Sequence, residues 1–266
     1  MCLTSRYALV KKVVFIGAGN VSTSLAFAFN NAGWNIVQFY SRTIDSATTL
    51  AKLYNSNAIS NLSEIERFAD FYIIAVPDGS IPLVVNAMPK VNGVVVHTSG
   101  STPLSALHSL KSNGIGVFYP FQTFSRVRIV DLSSAPIFVE ANSPDVLDFL
   151  TGIGKEFSPK VSTLNSDKRL LLHISGVFAS NFTNHILALT YRLASENGID
   201  FKILQPLVEE TVVKAFTTNP KDVQTGPAIR NDIVTVEKHS AVLGNLDEQL
   251  QRIYNELSLS IQKLGK

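Results

Sequence analysis

The stretch Val13-Val14-Phe15-Ile16-Gly17-Ala18-Gly19-Asn20-Val21-Ser22 constrains the fold of this chain more than any other. Four consecutive apolar residues predict a buried strand. A Gly17-x-Gly19 turn follows, and the run Leu25-Ala26-Phe27-Ala28-Phe29 continues as a helix. Strand, glycine turn and helix in that order are the context of a dinucleotide-binding fingerprint. Gly17 permits the tight turn, and Gly19 removes the Cβ that would hold a pyrophosphate away from the backbone. The helix start adds free N–H groups and a positive dipole end. Gly17, Gly19, Asn20 and Val21 are therefore the candidate pyrophosphate contacts. The third fingerprint position is Ser22, small enough for close packing but neither Gly nor Ala. The alternative is a strand–helix turn that binds nothing.

The rest of the first half repeats the alternation. Strands are predicted at 35–40, near 58–60, and at 71–76, 93–97, 115–118 and 136–140. Helices are predicted at 46–54 with Asp45 as cap, at 80–88 and at 144–157. Phe71-Tyr72-Ile73-Ile74-Ala75-Val76 is apolar throughout, as a central strand must be when helices cover both sheet faces. The fold class that follows is α/β, a doubly wound parallel sheet, over residues 1–160. The pattern changes near 158–165. Residues 161–266 read as an all-α domain, with helices at 167–197, 201–216, 227–243 and 247–264. The first of these is apolar on nearly every face, which predicts burial in a helical core or at a dimer interface.

Composition closes off other classes. Charged residues are 17% and hydrophobic ones 45%, so the chain is globular. A net charge of +2 without a basic run argues against nucleic acid. The one cysteine, Cys2, leaves no internal disulfide framework, and no two histidines have metal-ligand spacing. No metal is expected. The N-terminus lacks a signal-peptide pattern, and Leu170-Leu171-Leu172-His173-Ile174 is too short to span a bilayer. No membrane association is expected, and the predicted setting is cytoplasmic.

The second strand ends at Ser41-Arg42-Thr43, without the acid that accepts from the ribose hydroxyls in NAD-specific folds. Arg42 can pair with a ribose phosphate and Ser41 and Thr43 can donate to it, so NADP is favoured over NAD. Otherwise Arg42 is a solvated loop residue. Val76-Pro77-Asp78 and Thr98-Ser99-Gly100-Ser101 follow strand ends, where ligands of such sheets bind. Asp78 either faces a nicotinamide ribose or shapes a turn. Ser99 and Gly100 either donate to a substrate or serve as turn formers. Tyr119 and Gln122 offer a phenol and an amide to the same cleft, or simply pack a loop. On the 167–197 helix His173, Ser180 and Asn184 share a face at 100° per residue. Asn181 lies beside them, and His185 lies farther round. Such polar groups cost free energy unless satisfied, by substrate or by another helix. His173 is the candidate proton donor. Gln224-Thr225-Gly226-Pro227, with Arg230 one turn in, reads as a helix start suited to an anionic substrate, or as a capped structural helix.

Gly17-Ala18-Gly19-Asn20-Val21, Val76-Pro77-Asp78, His97-Thr98-Ser99-Gly100-Ser101, Pro120-Phe121-Gln122-Thr123-Phe124, Asn181-Phe182-Thr183-Asn184-His185 and Gln224-Thr225-Gly226-Pro227-Ala228 together resemble one bacterial family. These are Rossmann-like proteins with a C-terminal helical domain of unknown function, described as NADP oxidoreductases of the deazaflavin-dependent type. More distantly the chain is similar to pyrroline-5-carboxylate reductase and the β-hydroxyacid dehydrogenases. The resemblance implies a cleft between the domains and a homodimer formed through the helices. It also exposes departures. The dehydrogenases carry a catalytic Lys one turn before an Asn; here Val177 precedes Asn181 and Ser180 precedes Asn184. Relatives carry His where this chain has Tyr119. The expected activity is hydride transfer between NADPH and a small carbonyl, hydroxy or imine compound bearing an anionic group. Ser99, Gly100, Gln122, Asn181, Gln224 and Arg230 would orient that compound. The missing lysine supports the other reading, a dimeric dinucleotide-binding sensor or scaffold without turnover.

Overall fold

The computed structural model describes residues 11–125 and 128–264; Cys2 and the N-terminal approach to the first strand lie outside them. The chain divides into two compact units, up to Ser180 and from Asn181 onward. The first holds strands β1 (Lys12–Ile16), β2 (Asn35–Tyr40), β3 (Asn57–Ile59), β4 (Phe71–Ile74), β5 (Val94–His97), β6 (Gly114–Pro120), β7 (Ile137–Ala141) and β8 (Val161–Thr163). Its helices are α1 (Asn20–Asn31), α2 (Ile44–Tyr54), α3 (Ile81–Ala87), α4 (Pro144–Phe157) and α5 (Ser166–Gly176).

The eight strands form one sheet in the order β3-β2-β1-β4-β5-β6-β7-β8. β1 explains why its sequence is continuously apolar. Val13 and Phe15 enter one buried cluster, Val14 and Ile16 the other, and all four are fully buried. The first cluster is aromatic. Phe15 stacks on Phe39 and meets Phe29 edge-on, while Phe71 meets Phe118 and Phe149 edge-on.

The expectation of a wholly parallel sheet is corrected at one joint. β6 pairs with β7 antiparallel, although β7 and β8 pair parallel across α4. A parallel crossover needs a covering element. The described part of the 121–136 connection has only a 3₁₀ turn, Leu132–Ser134, so the chain returns antiparallel. Asp45 is not a cap. α2 starts at Ile44 with Thr43 extended before it, and Asp45 lies in the first turn, where its charge suits the helix dipole.

The long helix predicted at 167–197 is continuous but not uniform. α5 runs into a π-helical stretch, Val177–Phe182, before α6 (Thr183–Glu196). Wider π turns break the 100° phase, so the predicted shared face of His173, Ser180 and Asn184 does not carry through.

The second unit also contains α7 (Gln205–Thr217), α8 (Ile233–Leu246) and α9 (Glu248–Leu264). α8 does not start at Pro227. Gly226 and Asn231 take positive φ angles of 108° and 54°, the chain turns between them, and Asp232 caps the helix by accepting from the Thr235 N–H at 3.1 Å. Arg230 thus stands before the helix rather than one turn inside it. Within the single chain the 167–197 segment is not buried in a helical core, the first of its two predicted surroundings. Leu171 and Phe178 are each 65% exposed, and only Ala194, Ala228 and Ser258 are buried among the described residues of the second unit. No described helix is long and apolar enough to cross a membrane.

Candidate functional site

The site of the first unit grows from the carboxyl ends of β1, β4, β5 and β6. Gly17 leaves β1 at φ +119°, donating its N–H to the Tyr40 carbonyl at 2.8 Å. A Cβ there would stand 2.1 Å from the Ala75 carbonyl oxygen, so only glycine lets β1 and β4 come this close. Gly19 is the N-cap of α1 and supplies no side-chain cap; a Cβ there would meet nothing within 4 Å. The first N–H groups of α1 therefore open onto free space, as a pyrophosphate needs. Ser22, at the third fingerprint position, is fully buried, and its hydroxyl has no partner among the described residues.

Two neighbouring cavities share this glycine turn. The first, about 440 Å³, is lined by Gly17, Gly19, Ser41, Arg42, Val76 and Pro77, with Leu83 and Val84 of α3 as an apolar wall. The second, about 420 Å³, shares Gly19, Val76 and Pro77 and adds Asn20, Val21, Asp78, Ser99, Gly100, Tyr119, Gln122 and His173. Fourteen residues singled out in the sequence thus converge on two adjoining spaces. Thr43 lines neither and instead precedes α2. Asn181, Gln224 and Arg230 are exposed residues of the second unit.

Several of these side chains are already engaged. Asn20 uses its amide to donate to the Phe124 carbonyl at 3.1 Å, which ties the start of α1 to the loop after β6. Gln122 folds back on its own loop, its Oε1 accepting from the Thr123 N–H at 2.8 Å. Ser99 Oγ accepts from the N–H groups of Ser101 and Thr102, at 3.1 and 2.9 Å, leaving only its hydroxyl hydrogen to donate elsewhere. Asp78 opens a 3₁₀ turn and also accepts from Ser101 Oγ at 2.5 Å, so the loops after β4 and β5 are joined across the cleft.

Tyr119 and His173 meet at the wall of the second cavity. Tyr119 is the penultimate residue of β6, and its hydroxyl lies 3.0 Å from Nδ1 of His173, one residue 9% exposed and the other half-buried. Burial pushes the Tyr119 phenol up to about 12, so it stays protonated at neutral pH, and which of the two groups donates follows the tautomer of the imidazole. The His173 ring lies over Gly100, where a Cβ would stand 2.5 Å from Nδ1.

Sequence reasoning passed over the groups beneath this pair. His97 is fully buried at the end of β5, and its Nδ1 accepts the Ser99 N–H at 3.2 Å. Burial, and next the Arg169 charge, push its pKa down to about 4, so it stays neutral. Arg169 of α5 is 1% exposed. Its Nη1 donates to the Glu140 carboxylate on β7, and its Nη2 donates to the Thr102 carbonyl at 2.6 Å. The available signal was spacing, since Arg169 and His173 are one helical turn apart.

With this geometry in view, comparison with known proteins is informative. Residues 12–99 match the family model described as NADP oxidoreductase coenzyme F420-dependent, and residues 135–261 match Domain of unknown function (DUF2520). A crystal structure from Bacteroides fragilis, described as a "putative NADP oxidoreductase", is 38% identical to this chain. The alignment covers 96% of this chain and 98% of that one, with a TM-score of 0.88. The chain belongs to this NADP oxidoreductase family. The family's C-terminal domain begins at the edge of β7, so it takes in the last two strands as well as the helices. Two further likenesses concern the fold alone. A reductive aminase from Aspergillus terreus, solved with NADPH and ethyl-5-oxohexanoate, is 13% identical over 96% of this chain and 92% of its own, TM-score 0.69. A 1-pyrroline-5-carboxylate reductase from Streptococcus pyogenes is 11% identical over 96% and 99%, TM-score 0.61. No curated protein matches the chain.

Proposed function

We propose that this chain is an NADPH-dependent reductase of small carbonyl or imine compounds, also able to run in the direction of the hydroxy compound. The observation that carries the proposal is the Tyr119–His173 pair at 3.0 Å, lining the same cavity as the glycine turn. When bound, the dinucleotide supplies the hydride. The open N–H groups at the start of α1, with Gly17 and Gly19 beneath them, hold its pyrophosphate. Arg42 and Ser41 line the first cavity without a neighbouring acid on β2, and they hold the adenosine phosphate. Val76, Pro77 and Asp78 border the nicotinamide end. His173 delivers the proton to the substrate oxygen or nitrogen and takes up another from solvent, and the Tyr119 hydroxyl holds the ring at Nδ1. A second copy of the chain would cover the bare apolar faces of the second unit, where Phe216 is 88% and Val234 78% exposed.

The test is a paired NADPH and NADH titration on wild type and Arg42→Ala, followed by a carbonyl and imine panel on wild type, Tyr119→Phe and His173→Gln. Losing one charged hydrogen bond at an exposed position should weaken NADPH by about ten-fold to a hundred-fold and leave NADH unchanged. Equal weakening of both would refute the role of Arg42. Tight NADPH binding with no turnover across the panel would leave the sensor or scaffold reading.

A further inference from the structure

Arg169 sits behind the candidate site and touches none of the space a ligand would fill, yet both faces of the Tyr119–His173 contact depend on elements it joins. One arm reaches the Glu140 carboxylate on β7, and the other reaches the Thr102 carbonyl in the loop after β5. Thr102 is two residues beyond Gly100, on which the His173 ring rests, and His173 is one turn beyond Arg169 on α5. A single planar fork therefore spans the loop below the ring and the helix that carries it. The same joint has a second fastening. Ser166 Oγ accepts from the Leu104 N–H at 3.0 Å, and the Ser166 hydroxyl and N–H both donate to Glu140. Farther along, α5 passes close to the loop after β6; a Cβ on Gly176 would stand 2.8 Å from the Phe121 ring. With so little slack, a small shift of α5 or of the 98–104 loop changes the 3.0 Å contact between His173 and Tyr119.

We infer that Arg169 is a positioning residue: it fixes the spacing between the 98–104 loop and α5 at which His173 meets Tyr119. This rests on the proposed reading in which His173 and Tyr119 handle the substrate proton. Ser166 fastens the start of α5 to the same loop and to Glu140, so loss of the fork should spare the fold; only the fork holds Thr102, two residues from Gly100, so its loss should disturb the pair.

Arg169→Lys tests this, because lysine keeps the charge opposite Glu140 and can serve only one of the two acceptors. The readout is the ¹⁵N resonance of His173 Nδ1 in histidine-labelled protein, assigned among the five histidines with His173→Gln. Tyr119→Phe supplies the value of the unpartnered ring. The expected result is NADPH affinity as in wild type, a His173 resonance moved to the Tyr119→Phe value, and kcat lowered by about ten-fold or more with KM for NADPH unchanged. A wild-type resonance in Arg169→Lys overturns the inference, even if the melting temperature falls, since that is all a merely structural role would produce. If Arg169→Lys does not fold, the neutral pair Glu140→Gln/Arg169→Gln takes the same measurement. The resonance needs neither cofactor nor substrate. Absence of turnover in wild type would therefore count against the functional reading without touching this one.

Discussion

Acid should attack the candidate site through His97. In the unfolded chain this histidine takes up a proton near its ordinary 6.5; in the folded chain burial and the Arg169 charge delay that to about 4. Asp78 and the Pro103 carbonyl pull the other way and do not offset them. Between those two values the unfolded state binds more protons, so stability is fully present above about pH 6.5 and declines as pH falls towards 4. At about 1.4 kcal/mol per unit the whole shift is worth about 3 kcal/mol, of which about 2 kcal/mol is gone by about pH 5. The loss has a local meaning, because a protonated Nδ1 cannot accept the Ser99 N–H that shapes the loop under Gly100 and His173. The assay is urea unfolding of wild type and His97→Gln at pH values between about 7.5 and 4.5. His97→Gln should be less stable at neutral pH but lose about 2 kcal/mol less on acidification to about pH 5. Parallel pH dependences for the two proteins would refute the argument, because the acid sensitivity would then belong to other groups.

Gly17→Ala forces a Cβ to within 2.1 Å of the Ala75 carbonyl oxygen at a φ of +119°. It should cost about 2–4 kcal/mol and abolish NADPH-induced thermal stabilisation; a variant as stable as wild type would mean the β1–β4 spacing is not as described. Gly100→Ala meets a movable ring rather than backbone, at 2.5 Å. It should cost about 1 kcal/mol or less while lowering kcat about ten-fold to a hundred-fold with NADPH affinity unchanged, checked by denaturation and steady-state kinetics. The pair Phe216→Asp and Val234→Asp, placed on exposed apolar positions of the second unit, should convert a dimer to a monomer in sedimentation velocity. A wild-type protein that sediments as a monomer at all concentrations would remove that proposal.

What the chain states by itself is what local pattern and local backbone geometry can enforce. Val13 to Ile16 has no polar face, so it must lie where both faces are covered, and it does. The positive φ of Gly17 follows from a turn that no other residue makes cheaply. Strand ends in such a sheet point the same way, which is enough to bring Arg42, Pro77 and Ser99 to adjoining cavities. The direction of β7 was not legible, because an apolar strand reads the same in both directions and its connection alone decides its sense. The burial of Arg169 was not legible either. In Asp167-Lys168-Arg169 it looks like one more solvated charge, and only Glu140, 29 residues away, makes its burial affordable. Nor could any spacing rule pair Tyr119 with His173 across 54 residues. The helix start at Ile233 rather than Pro227 depended on two positive-φ positions, one of them a non-glycine, Asn231. Periodicity is a property of neighbours along the chain and survives into the fold. A hydrogen-bonded pair between distant elements depends on where the sheet and α5 deliver their ends, and that was decided only by the packed tertiary structure.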